Sequence, residues 1–191
     1  MDRAAFLDRD GVINRKAREG EYVTRWEEME ILPGVAEAIR LLGQAGFRVI
    51  VVSNQRCVAK GLITAHEVES LHRRMREALA RGGARIDAVY YCPHDIEPPC
   101  RCRKPQPGML LDAARDHDIE LGASWMIGDS RADVEAGKQA GSRTALIAAD
   151  EHHAPVPDLV AESLLDAAQQ ILQREQVPTG KPSHPKQQNR I

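Results

Sequence analysis

Short apolar runs alternate along this chain with longer runs of helical spacing, and that alternation restricts the fold more than any other feature. Val49–Val52 reads VIVV, β-branched throughout, which suits a strand buried on both sides in a parallel sheet. Ala4–Leu7, Ala88–Tyr91, Trp125–Ile127 and Thr144–Ile147 read as further strands. Between them, Pro33–Ala45 carries Val35, Ile39 and Leu42 on one stripe, with Gly46 as a stop. Thr64–Ala80 is amphipathic and opens with Thr64 and Glu67 at capping-box spacing, where each side chain satisfies a free backbone N–H. Pro107–Asp116, Ala132–Ala140 (closed by Gly141) and Ser163–Gln173 are the remaining helices. The pattern predicts an α/β fold, a Rossmann-like open parallel sheet with helices on both faces. Its length suits one domain, drawn here over residues 1–176. The polar, proline-containing stretch 177–191 has little to bury and reads as a disordered tail.

Charge and composition exclude several partner classes. A net charge of -2 and sparse aromatic residues argue against nucleic acid or an anionic membrane surface. No apolar run approaches the roughly 18 residues of a membrane span, and acidic residues interrupt the N-terminal apolar stretch, so no signal peptide is expected. The expected setting is cytoplasmic, where clustered cysteines more often bind metal or do redox chemistry than form disulfides. No large apolar stripe is left over once the core is assigned, so a monomer is expected.

In open parallel sheets ligands bind beyond the carboxyl ends of the strands. Three strand ends here carry distinctive polar groups: Asp8, Ser53-Asn54 and Gly128-Asp129. Each has a bland reading. Asp and Gly favour turns, a lone Ser-Asn caps a helix, and an isolated Lys104 is commonly a solvated surface residue. Each also has a functional one. Two carboxylates on separate strand ends suit Mg²⁺, a hard cation that takes oxygen ligands and keeps several waters. The hydroxyl of Ser53 and nearby backbone N–H groups suit phosphate oxygens.

Taken in order, D-x-D-G at Asp8–Gly11, S-N at Ser53-Asn54, K-P at Lys104-Pro105 and G-D-x-x-x-D at Gly128–Asp133 resemble the motifs of the haloacid dehalogenase superfamily of aspartate-dependent phosphohydrolases. The resemblance spans roughly Ala5–Ile147. It implies that Asp8 is the nucleophile and forms an aspartyl-phosphate, splitting one hard step into two. Asp10 would protonate the leaving alcohol and then activate water, with its backbone carbonyl on Mg²⁺. Ser53 and Lys104 would hold phosphoryl oxygens. Asp8 and Asp129 would ligate Mg²⁺, and Asp133 would support that site or orient Lys104. Phosphoryl transfer depends on such positioning, with positive charge where oxygen charge accumulates.

The segment "CPHDIEPPCRC" has the spacing C-x-H-x5-C-x-C. Three thiolates and an imidazole make a closed tetrahedral set for a structural Zn²⁺: Cys92, His94, Cys100 and Cys102. Three cysteines cannot all pair, which disfavours a disulfide reading. Zinc would fix the loop and aim the following Arg103 and Lys104 into the site, lowering the entropy lost when phosphate binds. Cys57, the fourth cysteine, reads as a small buried side chain.

This loop running into RKP resembles two branches of the superfamily. One acts on the 7-phosphate of D-glycero-D-manno-heptose 1,7-bisphosphate in nucleotide-activated heptose synthesis, and the other on histidinol phosphate. FLDRDGVIN, Gly20 with Tyr22-Val23, SNQ…VAKG and CRKPQPGMLL lean to the first. The chain differs from that branch in a longer, charged loop at Arg15–Glu21 and in Ser130, where a lysine usually follows the aspartate. Arg9, Asn54, Gln55, Arg103 and Ser130 are the expected contacts to a small phosphorylated substrate. Arg103 is the natural candidate for substrate recognition, because its planar fork suits a second phosphate or sugar hydroxyls better than a lysine would. No insertion is large enough for a separate cap domain, and Val12–Leu32 reads as a small flap. A non-catalytic, zinc-stabilised binding module is the reading from another class, and it would have no use for both Asp8 and Asp10.

Overall fold

The computed structural model describes residues 1–147 and 155–176, so the expected tail at 177–191 lies outside the described residues. Six parallel strands form one sheet in the order β3-β2-β1-β4-β5-β6. They are β1 (Arg3–Leu7), β2 (Phe47–Asn54), β3 (Ala88–Cys92), β4 (Trp125–Gly128), β5 (Arg143–Ile147) and β6 (Leu159–Ala161). The helices are α1 (Val35–Gln44), α2 (Ala65–Ala80), α3 (Gly108–His117), α4 (Arg131–Ala140) and α5 (Leu164–Gln176).

Side chains alternate strictly across the central strands, as a pleat of period two requires. Ala5, Leu7, Val49, Val51, Trp125 and Ile127 enter one core with α1, α2 and α5, among them Ile39, Met75 and Ile171. Ala4, Phe6, Ile50, Val52 and Met126 enter the other, against Leu110 of α3 and Ala136 of α4. Both sheet faces are thus covered, which is why these strands read as unbroken apolar runs.

Five of the six strands and all five helices match the sequence reading, with ends shifted by a few residues. β2 is longer than its VIVV centre, because Ser53 and Asn54 continue the pairing with β3 at Tyr91 and Cys92. β6 was not anticipated. It is three residues long, and its neighbour β5 supplies the pairing that its own sequence does not announce.

The chain leaves β1 toward β2 and β3, then returns to place β4 on β1's other side. The crevice between the ends of β1 and β4 is therefore the point where strand order reverses, the usual ligand position in such sheets. The expected flap is anchored there. Asn14 bridges to Ile31, the Leu32 N–H donates to the Ile13 carbonyl at 3.0 Å, and a 3-10 turn spans Trp26–Glu28.

Candidate active site

Asp8 is the first residue beyond β1, and its N–H donates to the Ile127 carbonyl of β4 at 2.9 Å. The chain then turns sharply: the N–H groups of Val12, Ile13 and Asn14 all point at the Arg9 carbonyl. Gly11 sits at φ 95°, and a Cβ there would collide with the Asp129 carboxylate. Glycine is needed at that position for both reasons.

Lys104 lies between carboxylates. Its Nζ is 2.8 Å from Asp8 Oδ1 and 2.6 Å from Asp133 Oδ1, and it donates to the Val52 carbonyl at 2.8 Å. The Lys104 side chain is 3% exposed and that of Asp133 1%, so this ammonium is shielded from water and held by two hydrogen-bond acceptors and the Asp133 ion pair. Burial alone would lower its pKa, but the charges of Asp133 and Asp8 override that and hold it above the ordinary value. Burial pushes Asp8 up to about 7, Lys104 opposes the rise, and Asp133 and Asp10 add to it. Asp133 also accepts from the Ser130 N–H at 3.1 Å and the Ser130 hydroxyl at 2.5 Å. Asp133, at the start of α4, thus carries Lys104 on one oxygen and Ser130 on the other.

Asp10 accepts on both oxygens. Asn14 Nδ2 donates to Oδ1 and Gln55 Nε2 to Oδ2, each at 3.0 Å, and Arg9 approaches to 2.9 Å. Burial would raise its pKa, yet the Arg9 guanidinium and these hydrogen bonds hold the carboxyl below its ordinary value. Gln55 Nε2 also donates to Ser53 Oγ at 2.8 Å, and the thiol of buried Cys57 reaches Gln55 Oε1 at 3.5 Å. The two acceptors on Nε2 set which end of that amide faces the site, and the Cys57 contact agrees with them.

Three expected substrate contacts have other engagements. Arg9 is 1% exposed and its guanidinium meets Asp10 and His72. Gln55 is buried against Asp10 and Ser53. Asn54 holds the Lys104 backbone at both ends, donating to its carbonyl and accepting from its N–H, each at 3.0 Å. Asn54 nevertheless borders the open pocket of about 250 Å³, as do Arg103 and Ser130, together with Asp8, Asp10, Ser53, Lys104 and Asp129.

Sequence reasoning missed two participants. Lys16, on the flap, places its Nζ 2.7 Å from Asp129 Oδ2. His72, on α2, faces Arg9 from below. The charged loop at Arg15–Glu21 was the signal for Lys16. For His72 nothing local distinguished it from any histidine in a helix.

Four carboxylates (Asp8, Asp10, Asp129, Asp133) meet three cations (Arg9, Lys16, Lys104) here, and the Lys16 side chain is 57% exposed. Carboxylate oxygens of Asp8, Asp129 and Asp133 come within 4.8 Å of one another, and Asp129 Oδ1 is buried without a partner. Hard oxygen donors, one of them buried without a partner, fit a divalent cation. Asp8 and Asp129 each have one oxygen engaged, by Lys104 and Lys16, whereas Lys104 and Ser130 take both oxygens of Asp133.

Beyond β3, the sulfurs of Cys92, Cys100 and Cys102 and Nδ1 of His94 converge. Cys92–Cys100 is 3.5 Å, Cys100–Cys102 3.4 Å, Cys92–His94 3.6 Å and His94–Cys102 3.2 Å. Donors on a tetrahedral zinc are roughly 3.5 Å apart, given metal–ligand bonds of about 2.0–2.3 Å. Burial and the neighbouring sulfurs push Cys102 up to about 12. Cys100 comes down to about 7, because bonds from Cys102, Cys92 and backbone N–H groups outweigh its burial. Three crowded thiols resist ionising together, and a metal ion relieves that.

A nucleophile-sized carboxylate, a buried lysine and an oxygen-lined cation site at the switch point of a parallel sheet define an aspartate-based phosphohydrolase scaffold. Comparison with known proteins makes the class specific. The HAD-hydrolase-like family profile matches residues 101–167. A Rhodopseudomonas palustris protein named D-glycero-beta-D-manno-heptose-1,7-bisphosphate 7-phosphatase is 46% identical over 145 residues, 72% of this chain and 79% of that one. A Mycobacterium bovis protein named for the alpha anomer is 45% identical over 131 residues, 68% of each chain. The crystal structure of D,D-heptose 1,7-bisphosphate phosphatase from Bordetella bronchiseptica, complexed with magnesium and phosphate, superposes with a TM-score of 0.80. It is 35% identical and covers 90% of this chain and 99% of its own. The chain belongs to the D-glycero-manno-heptose-1,7-bisphosphate 7-phosphatase family of HAD-like hydrolases.

Proposed function

We propose that the chain removes the 7-phosphate of D-glycero-D-manno-heptose 1,7-bisphosphate through a phosphorylated Asp8. The observation that carries this reading is Lys104, bound at once to Asp8 and Asp133 in a pocket that also presents Asp10, Ser53 and Asp129. Asp8 attacks phosphorus: a carboxylate O–P bond forms and the bond to the sugar oxygen breaks. Asp10, ionised in the free site against Arg9, Asn14 and Gln55, takes up a proton as the anionic phosphate binds and gives it to that oxygen. In the second step water attacks the phosphoryl group, Asp10 takes the water's proton back, and the Asp8 O–P bond breaks. Lys104 and the Ser53 hydroxyl stabilise charge on the phosphoryl oxygens. Asp8, Asp129 and the Asp10 carbonyl would hold Mg²⁺, which would supply positive charge against the phosphate and favour the ionised form of Asp8.

Asn54, Gln55 and Arg9 act from behind: Asn54 sets the Lys104 backbone, and the other two set Asp10. Arg103 and Ser130 face the substrate, with Arg103 taking the 1-phosphate. Zinc on Cys92, His94, Cys100 and Cys102 steadies the segment that leads into Arg103 and Lys104. No helix among the described residues is long and apolar enough to cross a membrane. A cytoplasmic, monomeric enzyme with one domain over residues 1–176 accords with this reading. The relatives fall on the heptose side of the two branches.

The test is phosphate release with Mg²⁺ from both anomers of the heptose bisphosphate and from histidinol phosphate, compared as kcat/KM. At least 10²-fold in favour of heptose, about 2.7 kcal/mol of transition-state binding, is expected. A preference for histidinol phosphate would overturn the substrate reading.

A further inference from the structure

Behind the pocket, His72 on α2 points its Nε2 at Arg9 Nη1, 3.3 Å away, and Arg9 Nη2 meets Asp10. All of this lies below the surface: Arg9 is 1% and His72 4% exposed. A guanidinium is donor-only and does not deprotonate in proteins, so the nitrogen facing it must offer a lone pair. The imidazole is therefore neutral, with its proton on Nδ1. Burial first, and then the Arg9 charge, push His72 down to about 3, which agrees. The Tyr91 ring packs edge-on against it at 5.5 Å, fixing the plane of the imidazole. Arg9 Nε has no partner, so the guanidinium is held at its far end only, by His72 on one nitrogen and Asp10 on the other.

We infer that His72 is a positioning residue for the general acid and base: by accepting from Arg9 it sets the guanidinium that orients Asp10. This rests on the proposed role of Asp10. α2 thereby links the buried helical layer to the reaction, although no atom of His72 touches substrate. Removing the acceptor leaves Asp10 as the one partner of the guanidinium among the described residues, so Arg9 and Asp10 can shift together against the Asn14 and Gln55 contacts. Misplacement of a proton-transfer group matters in proportion to the need for the proton. An alkyl phosphate requires protonation of its leaving oxygen. An aryl phosphate with an acidic phenol does not.

The experiment compares kcat/KM, which reports up to the first irreversible step, for the sugar phosphate and for p-nitrophenyl phosphate in His72→Leu, His72→Gln and Asp10→Asn. For His72→Leu the expected result is a loss of about tenfold or more on the sugar phosphate and less than about twofold on p-nitrophenyl phosphate. His72→Gln, whose amide oxygen can take the place of Nε2, is expected to recover most of the loss. Equal losses on both substrates would show a merely structural role and overturn the inference, as would no loss on either. Asp10→Asn is the reference. If its own loss did not depend on the leaving group, the reading of Asp10 would fail. A selective loss in Asp10→Asn with none in His72→Leu would overturn the His72 inference alone. If His72→Leu does not fold, the Arg9→Lys variant, which reaches Asp10 but lacks the second nitrogen for His72, carries the same comparison.

Discussion

In the pocket, Lys104 is 3% exposed and pinned by two carboxylates and a carbonyl. Two residues earlier, Cys102 sits in a stretch without helix or strand, where four donor atoms crowd together. The pocket is held by the fold. Its carboxylates stand beyond the ends of β1 and β4 and at the start of α4, and each has partners from elsewhere in the chain. The Cys/His loop has little of its own to bury: Arg56–Asp95 at 2.6 Å and the Gly108 N–H on the Arg101 carbonyl at 3.0 Å are among its few tethers. One region is stable because opposite charges compensate one another out of water. The other needs an ion to compensate its thiolates. Lys104 belongs to both, since Asn54 fixes its backbone independently of the loop.

The change expected to break the pocket's chemistry most completely is Asp8→Asn. An amide cannot form the acyl-phosphate, so activity should fall by about 10⁴-fold or more, as when other enzymes lose a covalent nucleophile. Lys104 keeps Asp133 and the Val52 carbonyl, so the melting temperature should stay within a few degrees. Phosphate release and thermal unfolding on one preparation check both. Substantial residual turnover would remove Asp8 as nucleophile.

Lys104→Met tests whether the fold holds the pocket by charge compensation. It leaves Asp8 and Asp133 facing one another with no cation between them. Breaking a buried pair in this way typically costs about 3–5 kcal/mol. Denaturant unfolding should show a loss of that order. A variant as stable as the parent would mean that solvent reaches these carboxylates.

How far the two regions could be read in advance differs for physical reasons. The Cys/His site was legible almost whole, because all four donors lie within eleven residues and spacing alone restricts their chemistry. The strands and helices were legible because burial on two faces writes itself into apolar periodicity. In the pocket, Asp8, Ser53, Lys104 and Asp129 could be read from strand ends and motif order. What those residues lean on could not. The Arg9–His72 contact joins positions 63 apart, and Asn54 meets Lys104 across 50. No local pattern marks such pairs, so nothing in the sequence showed that Arg9 and Gln55 are buried or that Asn54, at the pocket's edge, holds the Lys104 backbone. β6 escaped because three residues carry no period.

Acid separates the regions further. His72 is held down to about 3, so between that value and its unfolded value near 6.5 the unfolded chain binds the proton that the folded chain refuses. Stability from this group is therefore complete above about 6.5 and is lost as pH falls toward 3, by at most about 1.4 kcal/mol per unit. Unfolding measured from pH 7 to 5 should show this slope in the parent and a shallower one in His72→Gln, which cannot titrate. Identical slopes would mean that the imidazole is solvated.

Stripping zinc should then act on the loop with limited reach. Asn54 and Asp133 still hold Lys104, so activity should fall on the order of tenfold, less than the 10² that a 1 Å misplacement of reacting groups costs. Metal analysis of protein purified without chelator, followed by chelation and assay, gives both numbers. About one zinc per chain is expected. Absence of the metal would remove the loop assignment, and total loss of activity would mean that the pocket depends on the loop more than its contacts suggest.

The smallest effect belongs to Lys16, the one cation of the site supplied by the flap. Its ammonium sits 2.7 Å from Asp129 Oδ2, on a carboxylate proposed for Mg²⁺, and the two cations must compete for it. The Lys16 side chain is mostly exposed, so its hold resembles a surface ion pair, worth about 0.2–1 kcal/mol. Lys16→Met should therefore tighten Mg²⁺ binding by a factor of roughly two to five, read by calorimetric titration without substrate. With substrate the sign can reverse, because a displaced ammonium is free to meet phosphate. A raised KM for the bisphosphate beside tighter Mg²⁺ would make Lys16 a contact for the substrate's second phosphate. Unchanged Mg²⁺ affinity would show that the flap leaves Asp129 before the metal arrives.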